Sequence, residues 1–151
     1  MDPMRLRLLG SCDHLWIFSG QLHENRGPGL PGNQLMMSAM TRVFFGVEAR
    51  DVPRDTHLGY FAITRGWAEK PDCPLRFSNN SMDVLSLPVP GGSWPADYSQ
   101  TTLLFTRTVV GGRTKFKLEV GNAAKAVKWK KASERVGGDF AMTSGREWGV
   151  F

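Results

Sequence analysis

Between Leu22 and Gln34 the chain carries Gly27-Pro28-Gly29-Leu30-Pro31-Gly32, three glycines and two prolines in six residues. Proline removes a backbone donor and fixes φ, and glycine has no side chain to pack, so this stretch forms neither a helix nor a central strand. Two apolar runs bracket it, Leu15-Trp16-Ile17-Phe18 and Leu35-Met36-Met37. Around its stiff centre stand side chains that donate or accept hydrogen bonds: Gln21, His23, Asn25, Arg26, Asn33 and Gln34. A loop of this make-up is either a plain surface connection or an arm projecting from a strand scaffold.

The same punctuation recurs along the chain and gives short strands rather than long helices. His14–Leu22, Gln34–Met40, Thr41–Arg50 and Leu58–Thr64 are each expected as strands, with turns at Pro53 and Gly66. Ala68–Pro74 is expected as a polar loop and Val89–Tyr98 as a long irregular connection. The firmest local pattern is a hairpin. Thr101–Val110 is β-branched and apolar, Gly111-Gly112 supplies positive φ, and Thr114–Val120 alternates, with Phe116, Leu118 and Val120 on one face. Asn122 as N-cap and Gly137 as C′ residue bound a lysine-rich helix, with Ala126, Trp129, Ser133 and Val136 on its apolar stripe. The tail is expected to return as a short strand with a turn at Ser144-Gly145-Arg146. These elements describe a mainly β fold, a small barrel or open pseudobarrel with one or two short helices.

With 151 residues the chain suits one domain, 1–151, large enough to bury a core without staples. Cys12 and Cys73 stand apart, too few for a disulfide framework or a zinc site, which fits a reducing cytoplasm. No apolar run is long enough for a signal or a membrane span, and no membrane partner is expected. Nineteen Lys plus Arg against fourteen Asp plus Glu leave a charge of +5, which permits a polyanionic partner without demanding one.

Catalytic patterns give little. No nucleophile elbow, phosphate-binding loop, zincin helix or dinucleotide fingerprint occurs, and no cofactor or metal is expected. Glu48 with Asp51, or Lys115, Lys117 and Glu119, would be the residues of a small metal-dependent nuclease, and His23 with Glu24 a catalytic pair. Charges alternating along the wet face of a strand are more often simply solvated. A β-barrel gripping a protein or another non-DNA ligand is a third reading of the same loops. The aromatics Trp67, Phe77 and Trp94 suit a single-strand stacking platform or, for Phe77, the core.

Nucleic-acid binding draws on more of the chain. Arg42, Arg50, Arg54, Arg65, Lys70 and Arg76 are spread through the middle of the chain, several of them beside loops from which they could reach phosphates. Arg, Asn, Gln, Ser and Glu are the side chains that read base edges in the major groove. They gather in two loops, one ending at Asn33 and Gln34, the other spanning Arg76, Ser78, Asn79, Asn80, Ser81 and Asp83.

With both loops in view, Trp16-Ile17-Phe18-Ser19-Gly20-Gln21-Leu22, the Gly-rich loop, and Gly32-Asn33-Gln34-Leu35-Met36-Met37 resemble the start of B3-like DNA-recognition domains of restriction endonucleases. The EcoRII-type N-terminal effector domain is the nearest pattern, and similar modules occur with phospholipase-D-like nucleases. The resemblance implies a seven-stranded pseudobarrel that holds double-stranded DNA with two arms. It would serve a nuclease catalytic domain in cis or in trans, in a bacterial cytoplasm, without catalysis of its own. The N-arm would comprise His23, Glu24, Asn25, Arg26, Asn33 and Gln34. The C-arm would comprise Arg76, Ser78, Asn79, Asn80, Ser81 and Asp83. Arg26, Asn33, Gln34, Asn79, Asn80 and Asp83 are then expected to read bases, and Arg65, Lys70 and Arg76 to hold phosphates. Asn33 stands where that family carries a His, and Ser78-Asn79-Asn80-Ser81 where its second arm is strongly charged. A pentanucleotide site such as CCWGG fits the closest pattern.

Overall fold

The computed structural model describes residues 2–151, which form one nine-stranded sheet with two α-helices. The strands are β1 (His14–Phe18), β2 (Gln34–Met37), β3 (Thr56–Arg65), β4 (Ala68–Phe77), β5 (Asp83–Ser86), β6 (Thr102–Val110), β7 (Arg113–Gly121), β8 (Asp139–Ala141) and β9 (Glu147–Val150). Helix α1 spans Pro3–Ser11 and α2 spans Ala123–Arg135. Their order in the sheet is β2-β5-β4-β3-β7-β6-β1-β9-β8, antiparallel throughout except for the short parallel pairing of β3 with β7. The sheet curls into a half-barrel around Leu15, Ile17, Leu35, Met37, Phe44, Phe45, Ile63, Phe105, Phe116 and Trp148, all buried. The mainly β expectation holds, with nine strands in place of seven.

The hairpin at Gly111-Gly112 pairs in unbroken register from Thr102↔Gly121 to Val110↔Arg113, with Phe116 and Leu118 buried on its dry face. Helix α2 is capped as expected: the Asn122 carboxamide oxygen accepts from the Lys125 N–H at 2.8 Å, and Gly137 follows with φ +69°. Trp129 and Ser133 form its buried side, but Val136 is 48 % exposed and lies off the stripe assigned to it. The turn at Ser144-Gly145-Arg146 joins β8 to β9.

Two local expectations are overturned, and one helix lies where none was placed. Thr41–Phe45 is a 3-10 helix, not part of a strand. Its run of apolar residues goes inward from both sides of one turn, with Phe44 and Phe45 buried, and left-handed residues Met40 and Gly46 fold the chain at its ends. Ala68–Pro74 is strand rather than loop, the first part of β4. Its prolines are tolerated because β5 pairs only with Leu75–Phe77, and the β3–β4 register slips between Phe61 and Ile63, leaving Pro71 outside the ladder. Finally, α1 precedes the first strand. Asp2 caps it by accepting from the Met4 N–H at 2.9 Å and Pro3 occupies its first turn, a start signal present in the sequence. Arg107 on β6 fastens the other end of α1, donating to the Leu9 and Cys12 carbonyls at 3.2 and 2.8 Å, and also to the Phe44 carbonyl.

Candidate nucleic-acid interface

Both polar loops spring from one pair of strands. β2 and β5 pair antiparallel from Gln34↔Ser86 to Met37↔Asp83. The first loop enters at Gln34, and the second leaves at the Met37–Asp83 end. Three residues of strand separate the two roots, about 10 Å along the strand.

The first loop is a built object. The Asn25 carboxamide oxygen accepts from the Asn33 backbone N–H at 3.1 Å, and its nitrogen donates to the Asn33 side-chain oxygen at 2.8 Å. Arg26 donates to the Pro31 carbonyl at 3.0 Å, and the Glu24 carboxylate accepts from the Gly29 N–H at 3.1 Å. A Cβ at Gly32 would lie 1.9 Å from the His23 carbonyl oxygen, so only glycine lets the two limbs meet. Leu22 is buried and anchors the loop to the core. His23, Glu24 and Asn25 stay exposed.

A residue outside both loops holds the roots of the first. Arg146, on the β8–β9 turn, donates to the Ser19 carbonyl at 3.1 Å, just before the loop, and to the Met36 carbonyl, just after it. Gly20 makes room: its φ is +63°, and a Cβ there would meet the Arg146 side chain at 2.9 Å. Burial lowers the Arg146 pKa from its usual value, and its Nε is buried with no partner. Arg146 thereby ties the curled sheet across its open side. Its isolated place in the sequence gave no signal of this role.

The second loop, Ser78–Met82, is a tight turn in which Ser81 has φ +63° and the Ser78 N–H donates to the Met82 carbonyl at 2.8 Å. Asn79 and Asn80 are exposed at its tip. The β3 entrance lies against it: Arg54 donates to the Ser81 hydroxyl at 3.2 Å, Asp55 lies 3.8 Å from Arg76, and the Asn79 amide nitrogen, in the orientation that satisfies it, donates to Asp55. Arg54 and Asp55 are thus additional members of this cluster. Met36, Arg76, Ser78, Asn79 and Asn80 line a shallow groove of about 210 Å³ on the outer face. Pairing puts Met36, Val84, Arg76 and His57 in one row across four strands, and His57 packs at a tilt of 50° against exposed Tyr60, with ring centroids 4.5 Å apart.

Several expected site residues serve the fold instead. Asp83 pairs with Met37 and Phe77, one residue out of phase with the outer row, so its side chain points inward. It is fully buried and accepts from Arg42 three times, from the backbone N–H at 2.9 Å, Nε at 3.1 Å and Nη2 at 2.8 Å. Arg42 is equally buried and stacks over Phe77 at 4.9 Å, so it holds no phosphate, and Phe77 is no stacking platform. Asn33 donates to the Leu87 carbonyl at 2.7 Å besides its bonds to Asn25, which commits its side chain to the loop base. Ser78 is buried and donates to Asn80.

Arg65 and Lys70 flank the tip of the β3–β4 hairpin. Lys70 lies six residues from Arg76 along β4, about 20 Å from the second loop. Lys70 pairs with Asp72 at 2.5 Å, which raises the lysine pKa and lowers that of the carboxylate, and Arg65 donates to the Ser93 carbonyl at 2.9 Å. Trp67, at that tip, is fully exposed, whereas Trp94 packs on the core.

The nuclease residues are dispersed. Glu48 and Asp51 are exposed in the connection before β3, Lys115 pairs with Glu69 at 2.5 Å, and Glu119 with Lys125 at 2.6 Å. Among the described residues no three acidic, His or Cys side chains gather closely enough to hold a metal ion. Among the described helices none is long and apolar enough to cross a membrane.

Comparisons with family models, curated proteins and solved structures returned no match.

Proposed function

We propose that this domain binds double-stranded DNA sequence-specifically, laying the two loops of β2 and β5 into the major groove. The observation that carries the reading is the common root: two polar loops at the two ends of one strand pair, about 10 Å apart, a span comparable with the groove's width of about 12 Å. A preorganised N-arm supports it further, because a loop already ordered by Asn25, Asn33 and Arg26 loses little entropy on binding. On this reading the base readers are His23, Glu24, Arg26 and Gln34 on the N-arm and Asn79, Asn80 and Ser81 on the C-arm. Arg54 and Arg76 hold phosphates beside the C-arm and set the register. Asn33 and Asp83 position the arms rather than read bases. The module has no catalysis of its own and supplies target recognition, on the EcoRII-type pattern, to a restriction nuclease domain in the same chain or a partner.

Selection of bound oligonucleotides from a random duplex pool tests the reading. Enrichment of one short motif, with affinity that falls steeply as salt rises, is the expected outcome. Recovery of unenriched pools at low salt, or a flat salt response, rejects it in favour of a non-DNA ligand. Divalent-metal-dependent cleavage of plasmid by the purified chain would instead establish the nuclease alternative.

A further inference from the structure

Helix α2 covers the outer faces of β1 and β9, with Trp129 packed on Trp16 and Leu104 and the Trp16 indole N–H donating to Ser133 Oγ at 3.0 Å. Its opposite side is bare. At 100° per residue, Ala124, Val127, Lys128, Lys131, Ala132 and Arg135 fall within an arc of about 140°. They line a groove of about 330 Å³. Two cations at the helix flanks are engaged: Lys125 with Glu119 at 2.6 Å and Lys130 with Glu147 at 2.5 Å. Among the described residues Lys128, Lys131 and Arg135 have no carboxylate partner. These three stand at i, i+3 and i+7, along about 10 Å of helix. Between them lie only alanines and Val127, which is 53 % exposed, so the floor is apolar and low. The helix contributes one acidic residue, Glu134, at the margin of the arc.

A duplex backbone would use the cations and leave the apolar floor wet. An anionic membrane surface would require bulkier apolar side chains than valine and alanine to insert. A helix with carboxylates at i, i+3 or i+4 and i+7, and a small apolar residue between them, satisfies both parts of the groove. From this complementarity of charge and shape we infer that the outer face of α2 is a docking surface for an acidic amphipathic helix of a protein partner. The inference stands apart from the arms and does not depend on DNA binding.

The test uses the 151-residue chain. A fluorescein-labelled synthetic helix with Glu at those spacings and Leu beside them is titrated by polarisation. Parallel titrations use a Glu→Gln version, oligoglutamate, a short duplex and phosphatidylserine vesicles. The wild-type chain is expected to bind the acidic helix saturably, with the Gln version and oligoglutamate each at least about tenfold weaker, since each supplies only half of the complementarity. Lys128→Glu with Lys131→Glu should weaken the acidic helix by about tenfold or more, and Val127→Ser by several-fold, with unchanged circular dichroism. Arg135→Glu, at the last turn, provides an independent variant. The inference is overturned by absence of saturation, by equal binding of oligoglutamate, or by variants that leave the acidic helix unaffected. It is equally overturned if the same variants abolish duplex or vesicle binding in place of peptide binding.

Discussion

Replacing Asp83 with Asn preserves the shape of a buried carboxylate and removes its charge. The partner, Arg42, is 1 % exposed, and three of its N–H groups point at Asp83. Two of those come from the guanidinium, where each charge-assisted bond contributes about 1.5–3 kcal/mol. The variant keeps part of this hydrogen bonding but strands a buried cation, a change that costs about 3–5 kcal/mol. Against a total stability of about 5–15 kcal/mol this is a large fraction. With a urea m-value of about 2 kcal/mol/M, the unfolding midpoint should fall by roughly 2 M. Tryptophan fluorescence reports it, because Trp16 and Trp148 are both buried. Arg42→Met should cost a similar amount, and the double variant Arg42→Met with Asp83→Leu should lose far less than the sum, since it leaves no unpaired charge. A loss under about 1 kcal/mol for Asp83→Asn, together with altered base preference, would refute the inward assignment and return Asp83 to the DNA surface.

Asn80→Ala should remove roughly 1–3 kcal/mol of discrimination at one base pair in duplex competition, whereas Asn33→Ala should weaken cognate and scrambled duplexes alike by loosening the N-arm base. If Asn33→Ala alters base preference with the loop intact, Asn33 is a reader after all. Arg146→Met should release the roots of the N-arm and speed tryptic cleavage after Arg26 several-fold while the core signal persists; unchanged cleavage would detach Arg146 from the arm. Ser133→Ala leaves the buried Trp16 indole N–H without its acceptor and should cost about 1–3 kcal/mol in urea unfolding. Burial pushes the Cys73 thiol from 9.0 up to about 12 and raises Tyr98 as well. Between pH 9 and 12 the unfolded chain therefore holds fewer protons than the folded one, and stability falls as pH rises. A urea midpoint that stays level from pH 8.5 to 11 would contradict that burial.

Much of the β architecture was legible because its signals are local. Gly111-Gly112 between alternating strands, the Asn122 cap and the Gly137 stop each act within a few residues. Asp2-Pro3 was an equally local signal, and it does start a helix. The Val43-Phe44-Phe45 run misled because a wholly apolar stretch has no period to read, and a single 3-10 turn buries it as well as a strand would. Ala68–Pro74 is polar and carries two prolines, and it is strand all the same, because that part of β4 has a partner on one side only and Pro71 lies outside the ladder.

At the candidate site, composition identified two loops rich in base-reading side chains, and the long-range pairing of β2 with β5 set them at the two ends of one short strand pair. Tertiary structure decided which of those side chains are free. Asp83 and Arg76 sit seven residues apart beside the same turn, yet register turns one into the core and the other onto the outer row. Asn33 lies in the loop's polar run but is consumed by Asn25 and Leu87. Arg146, more than a hundred residues from the N-arm, holds its roots because the sheet curls back on itself. Residue types were set by the sequence and their neighbourhoods by long-range pairing, and it is the neighbourhood that decides whether a polar group is spent inside the fold or left for a ligand.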